Sequence, residues 1–178
     1  MSYSKLVLVF LPALLWSSLA FGQGSAKSAQ ADIVNGQVQN IGTAKILPAK
    51  KGVKIEVNVS QLPPGKHGIH IHAVGKCEGP AFTTAGGHLN PDAKKHGKEN
   101  PEGPHAGDLL NLEVKADGTA KTTLLDTMVT LGDGPNSVFH EGGTAIVIHE
   151  KEDDYKTDPA GNSGARIACG VIQKQQDR

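Results

Sequence analysis

No excess of either charge sign runs through this sequence: 18 basic and 18 acidic residues cancel to a net charge of zero. The one-sided positive field on which nucleic-acid binding depends is therefore absent, and no nucleic-acid partner is expected. A membrane-spanning helix needs about 20 consecutive apolar residues. The one long apolar stretch, Leu6 to Leu15, is broken by Pro12 and gives way to polar residues before that length. Cysteine is scarce, with Cys77 and Cys169 alone, and neither lies near the N-terminus, where a lipid-anchored protein would carry one. Internal repeats, heptads and low-complexity tracts are missing too.

What is present at the N-terminus is Lys5, the short apolar run, and small residues offering cleavage after Ala20 or Gly22. That order predicts a secretory signal peptide over residues 1–22, no membrane anchor in the mature protein, and export to the periplasm or the extracellular space. Residues 23–30 read as a flexible polar lead, and residues 31–178 as a single domain. Export places the two cysteines where disulfides persist, which favours a bridge between them over two separate buried thiols.

Beyond the lead, apolar residues recur with a period of two. Val53, Ile55, Val57 and Val59 alternate with Lys54, Glu56, Asn58 and Ser60, the pattern of a half-buried strand. Further strands are expected around Ile33, Ala44–Leu47, Ile69–Ala73, Leu112–Lys115, Ala120–Leu125, Ala145–His149 and Ile167–Ile172. Turn sequences at Lys51-Gly52, Pro63-Pro64-Gly65 and Asp117-Gly118 separate them. Many short strands with this punctuation predict an all-β sandwich or barrel. Two stretches interrupt the pattern, Gly75–Gly107 and Glu150–Ala165, and loops of that length in a small domain are usually functional.

Histidine is the residue type that stands out. On a strand, residues two apart share a face, so in His67–His72 the rings of His70 and His72 point together while Ile69 and Ile71 face the core. Two neutral imidazoles side by side form half of a copper or zinc site. His88, His96 and His105 fall in the first long loop with Asp108 just after it, a donor set that zinc accepts. His149 ends a strand on the side opposite Ile146 and Ile148, where it can face a site outside the barrel.

Five motifs, HGIHIH (67–72), GGHLNP (86–91), HGKENPEGPHAGDL (96–109), VIHEKEDD (147–154) and GNSGARIACGVI (161–172), occur in the order in which the copper,zinc superoxide dismutases carry them. The sequence resembles that family, particularly its exported bacterial members, from about Asp32 to the C-terminus. The resemblance implies an eight-stranded Greek-key β-barrel, an immunoglobulin-like sandwich with two long functional loops; superoxide dismutase is one of the standard examples of sandwich architecture. It implies one copper bound by His70, His72, His88 and His149, and one zinc bound by His88, His96, His105 and Asp108. His88 and Arg166 are the implied catalytic residues, Asp153 the implied carboxylate behind His70 and His96, and Cys77–Cys169 the implied disulfide. The implied reaction turns two superoxide anions and two protons into dioxygen and hydrogen peroxide, with copper cycling between Cu(II) and Cu(I). A copper carrier or metal store of the same fold is the alternative, disfavoured because all four copper ligands and Arg166 are in place.

The remaining histidines read as structural: His67 on backbone at the strand start, and His140 on the surface. Ala160 stands where the family usually has threonine at the channel entrance, so a wider entrance is expected. The chain has no histidine-rich N-terminal extension. The family includes monomers and homodimers, and the sequence alone leaves both open.

Overall fold

A computed structural model describes Met1 and residues 28–175. Residues 2–22 of the expected signal peptide, and residues 23–27 of the expected lead, lie outside the described residues. Ten strands run through the described chain: β1 (Ala29–Asn35), β2 (Asn40–Pro48), β3 (Val53–Val59), β4 (Gly65–His67), β5 (Ile69–His72), β6 (Leu112–Val114), β7 (Ala120–Asp126), β8 (Ala145–His149), β9 (Arg166–Val171) and β10 (Gln173–Lys174). The only other regular element among the described residues is one 3₁₀ turn, Thr83–Ala85.

All ladders are antiparallel, in the order β5-β8-β9-β1-β2-β3-β7, with β10 pairing β1 and with β4 and β6 forming a separate pair. β4 and β5 are one strand broken at Gly68. The first half pairs β6 and the second pairs β8, so the strand turns a corner between sheets. A Cβ at Gly68 would come within 2.9 Å of the Ser163 side chain and 3.2 Å of the His70 ring, which is why the corner needs glycine. Counting β4–β5 once and setting aside the short β10, eight strands make the barrel. Because β3 lies beside β7 and β5 beside β8, the connectivity is that of a Greek key.

Alternation decides what each face meets. Ile33, Ile46, Ile55, Val57, Ile69 and Ile148 all point into one continuous apolar interior. Residues of the opposite parity on β8 and β9, namely Ala145, Val147 and Cys169, pack outside the barrel with Phe82 and Ala85. Phe82 is wholly buried there and, with the Cys77–Cys169 disulfide, clamps the first long loop against the barrel wall. Cys77 and Cys169 have Cα atoms 5.6 Å apart and are 92 residues apart in sequence.

The expected lead needs one correction. Ala29 and Gln30 are not flexible but start β1, where Gln30 pairs with Lys45 of β2 and Gln173 of β10. Ala29 is buried on the same face as Ala31 and Ile33. Two small alanines give too weak an apolar alternation to mark a strand, and the neighbouring strands supply the missing preference.

Candidate metal centre

β5 delivers His70 and His72, β8 delivers His149, and the first long loop folds His88, His96 and His105 over them. Backbone bridges His70–Asp108 and His72–His88 stitch that loop to β5. Every ring in the group has one nitrogen committed to a partner. His70 Nε2 donates to Asp153 Oδ2 at 2.7 Å, His72 Nδ1 to the Gly86 carbonyl at 2.9 Å, and His149 Nδ1 faces the Gly164 carbonyl at 3.3 Å. His88 Nδ1 points to Asp108 Oδ1 at 2.8 Å.

The nitrogens left over converge. One donor atom from each of His70, His72, His88 and His149 lies within 4.8 Å of the others. Nε2 of His72 and Nε2 of His149 are 3.5 Å apart. His70 Nδ1 and His88 Nε2 are buried and have no hydrogen-bond partner at all. Buried polar nitrogens without partners cost stability, so a convergent pair of them is the mark of an atom that binds something else. Four imidazole nitrogens suit copper.

A second set gathers around Asp108 Oδ1. His88 Nδ1 lies 2.8 Å from it, His96 Nδ1 3.0 Å and His105 Nδ1 3.4 Å, while His105 Nδ1 and His88 Nδ1 are 3.3 Å apart. Donors bound to one zinc at about 2.0–2.1 Å sit roughly 3.3 Å from each other in a tetrahedron, so these separations fit. Asp108 Oδ2 accepts the backbone N–H groups of Gly97 and His105, which fixes the carboxylate plane. Proximity alone would also group His70 with His88, His96 and Asp108. His70 is the poorer member, because its Nε2 is taken by Asp153 and its Nδ1 belongs to the first set.

Asp153 sits behind both sets, with Oδ2 on His70 Nε2 and Oδ1 on His96 Nε2 at 3.0 Å. Such carboxylate–histidine pairs fix ring orientation. Gly161 (φ 63°) lets the second long loop close over this carboxylate, since a Cβ there would run into Asp153 Oδ1.

The electrostatics prepare the rings for metal. Burial lowers the pKa values of His70 and His72, and holds His88 down to about 4 and His149 to about 3, with neighbouring histidines adding to the effect at His88 and His149. These imidazoles stay neutral, the form that ligates. Burial opposes charge on Asp108, but hydrogen bonds from His105, His88 and His96 outweigh it and keep the group ionised far into acid. Asp153 is ionised in the same way, through His70 and His96. Between the two carboxylates, and against the pull of burial, the metal-free His96 is pushed up to about 9.

A cavity of about 290 Å³ opens onto His72, His88 and His149, and Arg166, Asn90 and Ala160 lie at its wall. Arg166 is half-buried and donates to the carbonyls of Phe82 (2.7 Å) and Gly86 (2.6 Å), both in the loop that the disulfide clamps. Gly86 O thus serves His72 and Arg166 at once. Of the nearby lysines, Lys95 and Lys156 are paired with Asp158 (3.7 Å) and Glu99 (2.9 Å). Asn90, at the cavity wall, has both ends of its carboxamide held by the backbone of Lys94.

His67 is buried outside both sets, its nitrogens 2.8 Å from the carbonyls of His149 and Pro63. His140 contacts the carbonyl of Glu141 and joins neither set. The sequence reading missed the partners that orient the rings: the Gly86 and Gly164 carbonyls, Asp158 on the His96 N–H, and Asn111 and Tyr155 beside Asp153. Backbone acceptors leave no mark in a sequence. Asn111 could have been found only by asking what pairs the backbone of a loop carrying an essential carboxylate.

A Greek-key barrel that carries two donor sets sharing one imidazole, with an arginine at a small open cavity, defines a two-metal β-barrel redox protein. The sequence profile of the copper/zinc superoxide dismutases (SODC) matches residues 40–172. A superoxide dismutase [Cu-Zn] of Aquifex aeolicus is 48% identical over 165 residues, 92% of this chain and 96% of its own length. The crystal structure of a SOD-like protein from Bacillus subtilis superposes with a TM-score of 0.78 at 41% identity, covering 80% of this chain and 96% of that one. The Cu/Zn superoxide dismutase of Brucella abortus does so with a TM-score of 0.67 at 30% identity, over 82% and 99%. The chain belongs to the copper/zinc superoxide dismutase family, and its donor sets fit copper and zinc.

Proposed function

We propose that copper is held by His70 Nδ1 and by Nε2 of His72, His88 and His149, and zinc by Nδ1 of His88, His96 and His105 with Asp108 Oδ1. The chain is a superoxide dismutase, an oxidoreductase converting two superoxide anions and two protons into dioxygen and hydrogen peroxide. The observation that carries this reading is the buried pair of unpartnered nitrogens, His70 Nδ1 and His88 Nε2, facing the donors of His72 and His149.

Bound copper supplies the one-electron chemistry, which zinc cannot. The protein's own groups do the rest. Arg166 meets the anion at the cavity with a fixed fork of donors, its orientation set by the Phe82 and Gly86 carbonyls. His88 would serve both sets through its two nitrogens, and its buried Nε2 could hold a proton only when that atom is not engaged by copper. Asp153 and the Gly86 and Gly164 carbonyls keep His70, His72 and His149 in register, so the imidazoles need not reorganise.

The test is turnover of superoxide by protein loaded with one copper and one zinc per chain, which should be rapid, and which Arg166→Gln should slow with both metals still bound. A carrier of the same fold would bind the metals without turnover, and its properties would not depend on Arg166. The protein acts outside the cytoplasm, in the periplasm or beyond the cell, with residues 1–22 removed and no membrane anchor, a reading that the Cys77–Cys169 disulfide supports. All the proposed ligands come from one chain, so a homodimer is compatible with the site but not needed for it.

A further inference from the structure

Asp153 orients one ring of each donor set, His70 and His96, so whatever fixes Asp153 reaches both metals. Its carboxylate sits in the second long loop, which has no strand to hold it. The backbone of Asp153 is instead paired by one side chain from the short segment between the first long loop and β6. Asn111 Nδ2 donates to the Asp153 carbonyl at 2.9 Å, and the Asp153 N–H donates to Asn111 Oδ1 at 2.9 Å. A carboxamide offers donor and acceptor side by side, and so can match both groups of one residue as a strand would.

Asn111 is well anchored for this. Leu112, next to it, and Leu109, two residues before it, are both buried in the barrel core, and β6 starts with Leu112. Its own N–H donates to the Tyr155 hydroxyl at 2.8 Å, and the Tyr155 N–H returns to Asp153 Oδ1 at 2.7 Å. Tyr155 takes a left-handed backbone conformation (φ 63°) to make that contact. The ring of contacts Asn111–Asp153–Tyr155 runs from the barrel core to the carboxylate and no further. The link from Asn100 Nδ2 to the Lys156 carbonyl (3.1 Å), by contrast, joins the loops at the surface and touches neither Asp153 nor a histidine.

We infer that Asn111 is a positioning residue for both metal sites, holding the Asp153 backbone so that its carboxylate stays aligned with His70 and His96. The inference rests on the ligand assignment proposed above. The test uses the chain loaded with one copper and one zinc, read by the Cu(II) electron paramagnetic resonance spectrum and by zinc affinity in competition with a chelator. Asn111→Ala should shift the spectrum and weaken zinc by about tenfold, the lower end of what loss of a ligand's supporting partner costs. Asn100→Ala should change neither. Asn111→Asp keeps the size and one acceptor but sets a carboxylate oxygen against the Asp153 carbonyl; it should move both readouts the same way, and it serves if the alanine variant does not fold. Asp153→Ala separates the two claims. If it leaves both readouts unchanged, the ligand assignment fails and the inference with it. If it moves both while the folded Asn111 variants match the parent, or lose only thermal stability, the role given to Asn111 is overturned alone.

Discussion

Reducing the Cys77–Cys169 disulfide should both destabilise the protein and slow it, for connected reasons. The bridge spans 92 residues. In the chain-entropy treatment, a loop of that length removes about 4–5 kcal/mol of denatured-state freedom. For a domain of this size that is about a third or more of the total stability and corresponds to roughly 10–20 °C in Tm. The functional effect follows from position. Cys77 anchors the loop whose Phe82 and Gly86 carbonyls hold Arg166, and Gly86 also holds His72. The assay is urea unfolding of metal-free protein, oxidised against reduced, together with activity per bound copper in the loaded protein. A reduced form within about 1 kcal/mol of the oxidised one, far short of the loop-closure value, would refute the stability argument. Full activity after complete reduction would refute the link from the disulfide to Arg166.

Three further outcomes are expected. Asp126 is buried, its Oδ1 accepts the Met128 N–H, and its Oδ2 has no partner, so burial holds its pKa up to about 6. A raised carboxyl pKa favours the fold below the unfolded value near 4, and that contribution is lost as pH rises through about 6. Asp126→Asn should therefore stabilise metal-free protein by about 2–3 kcal/mol at pH 7 and by little at pH 4, two pKa units being worth that much; equal effects at both pH values in urea unfolding would contradict it. Zinc binding to metal-free protein at pH 7 should release a proton from His96, seen by calorimetry in buffers of different ionisation heat, and on acidification zinc should leave before copper. Threonine in place of Ala160, at the wall of the cavity, should weaken binding of azide and phosphate to the copper form severalfold, and unchanged affinity would show that the entrance does not set access.

The strands were legible because the barrel buries one face of each. The alternation through Val53–Val59 and the paired rings of His70 and His72 follow directly from the pleat. His149 could be placed for the same reason, opposite Ile146 and Ile148. Legibility failed where a partner lies far away in sequence. The corner at Gly68 reads as part of a continuous strand, and only the packing of Ser163 and His70 shows why it breaks. Asn111 looks like an ordinary loop residue until Asp153, 42 residues on, is folded against it. Asp126 continues the alternation of β7 as if it were apolar, and its cost appears only once the barrel interior is closed around it.

The central claim is that the imidazoles around His88 form a copper site that turns over superoxide. It is tested most directly by measuring superoxide disproportionation by protein carrying one copper and one zinc, alongside His149→Ala loaded in the same way. The account predicts rapid turnover that largely disappears in the variant while zinc is retained. Equal turnover in both would place the chemistry elsewhere, and no turnover in the parent would mean that the site binds metal without catalysis.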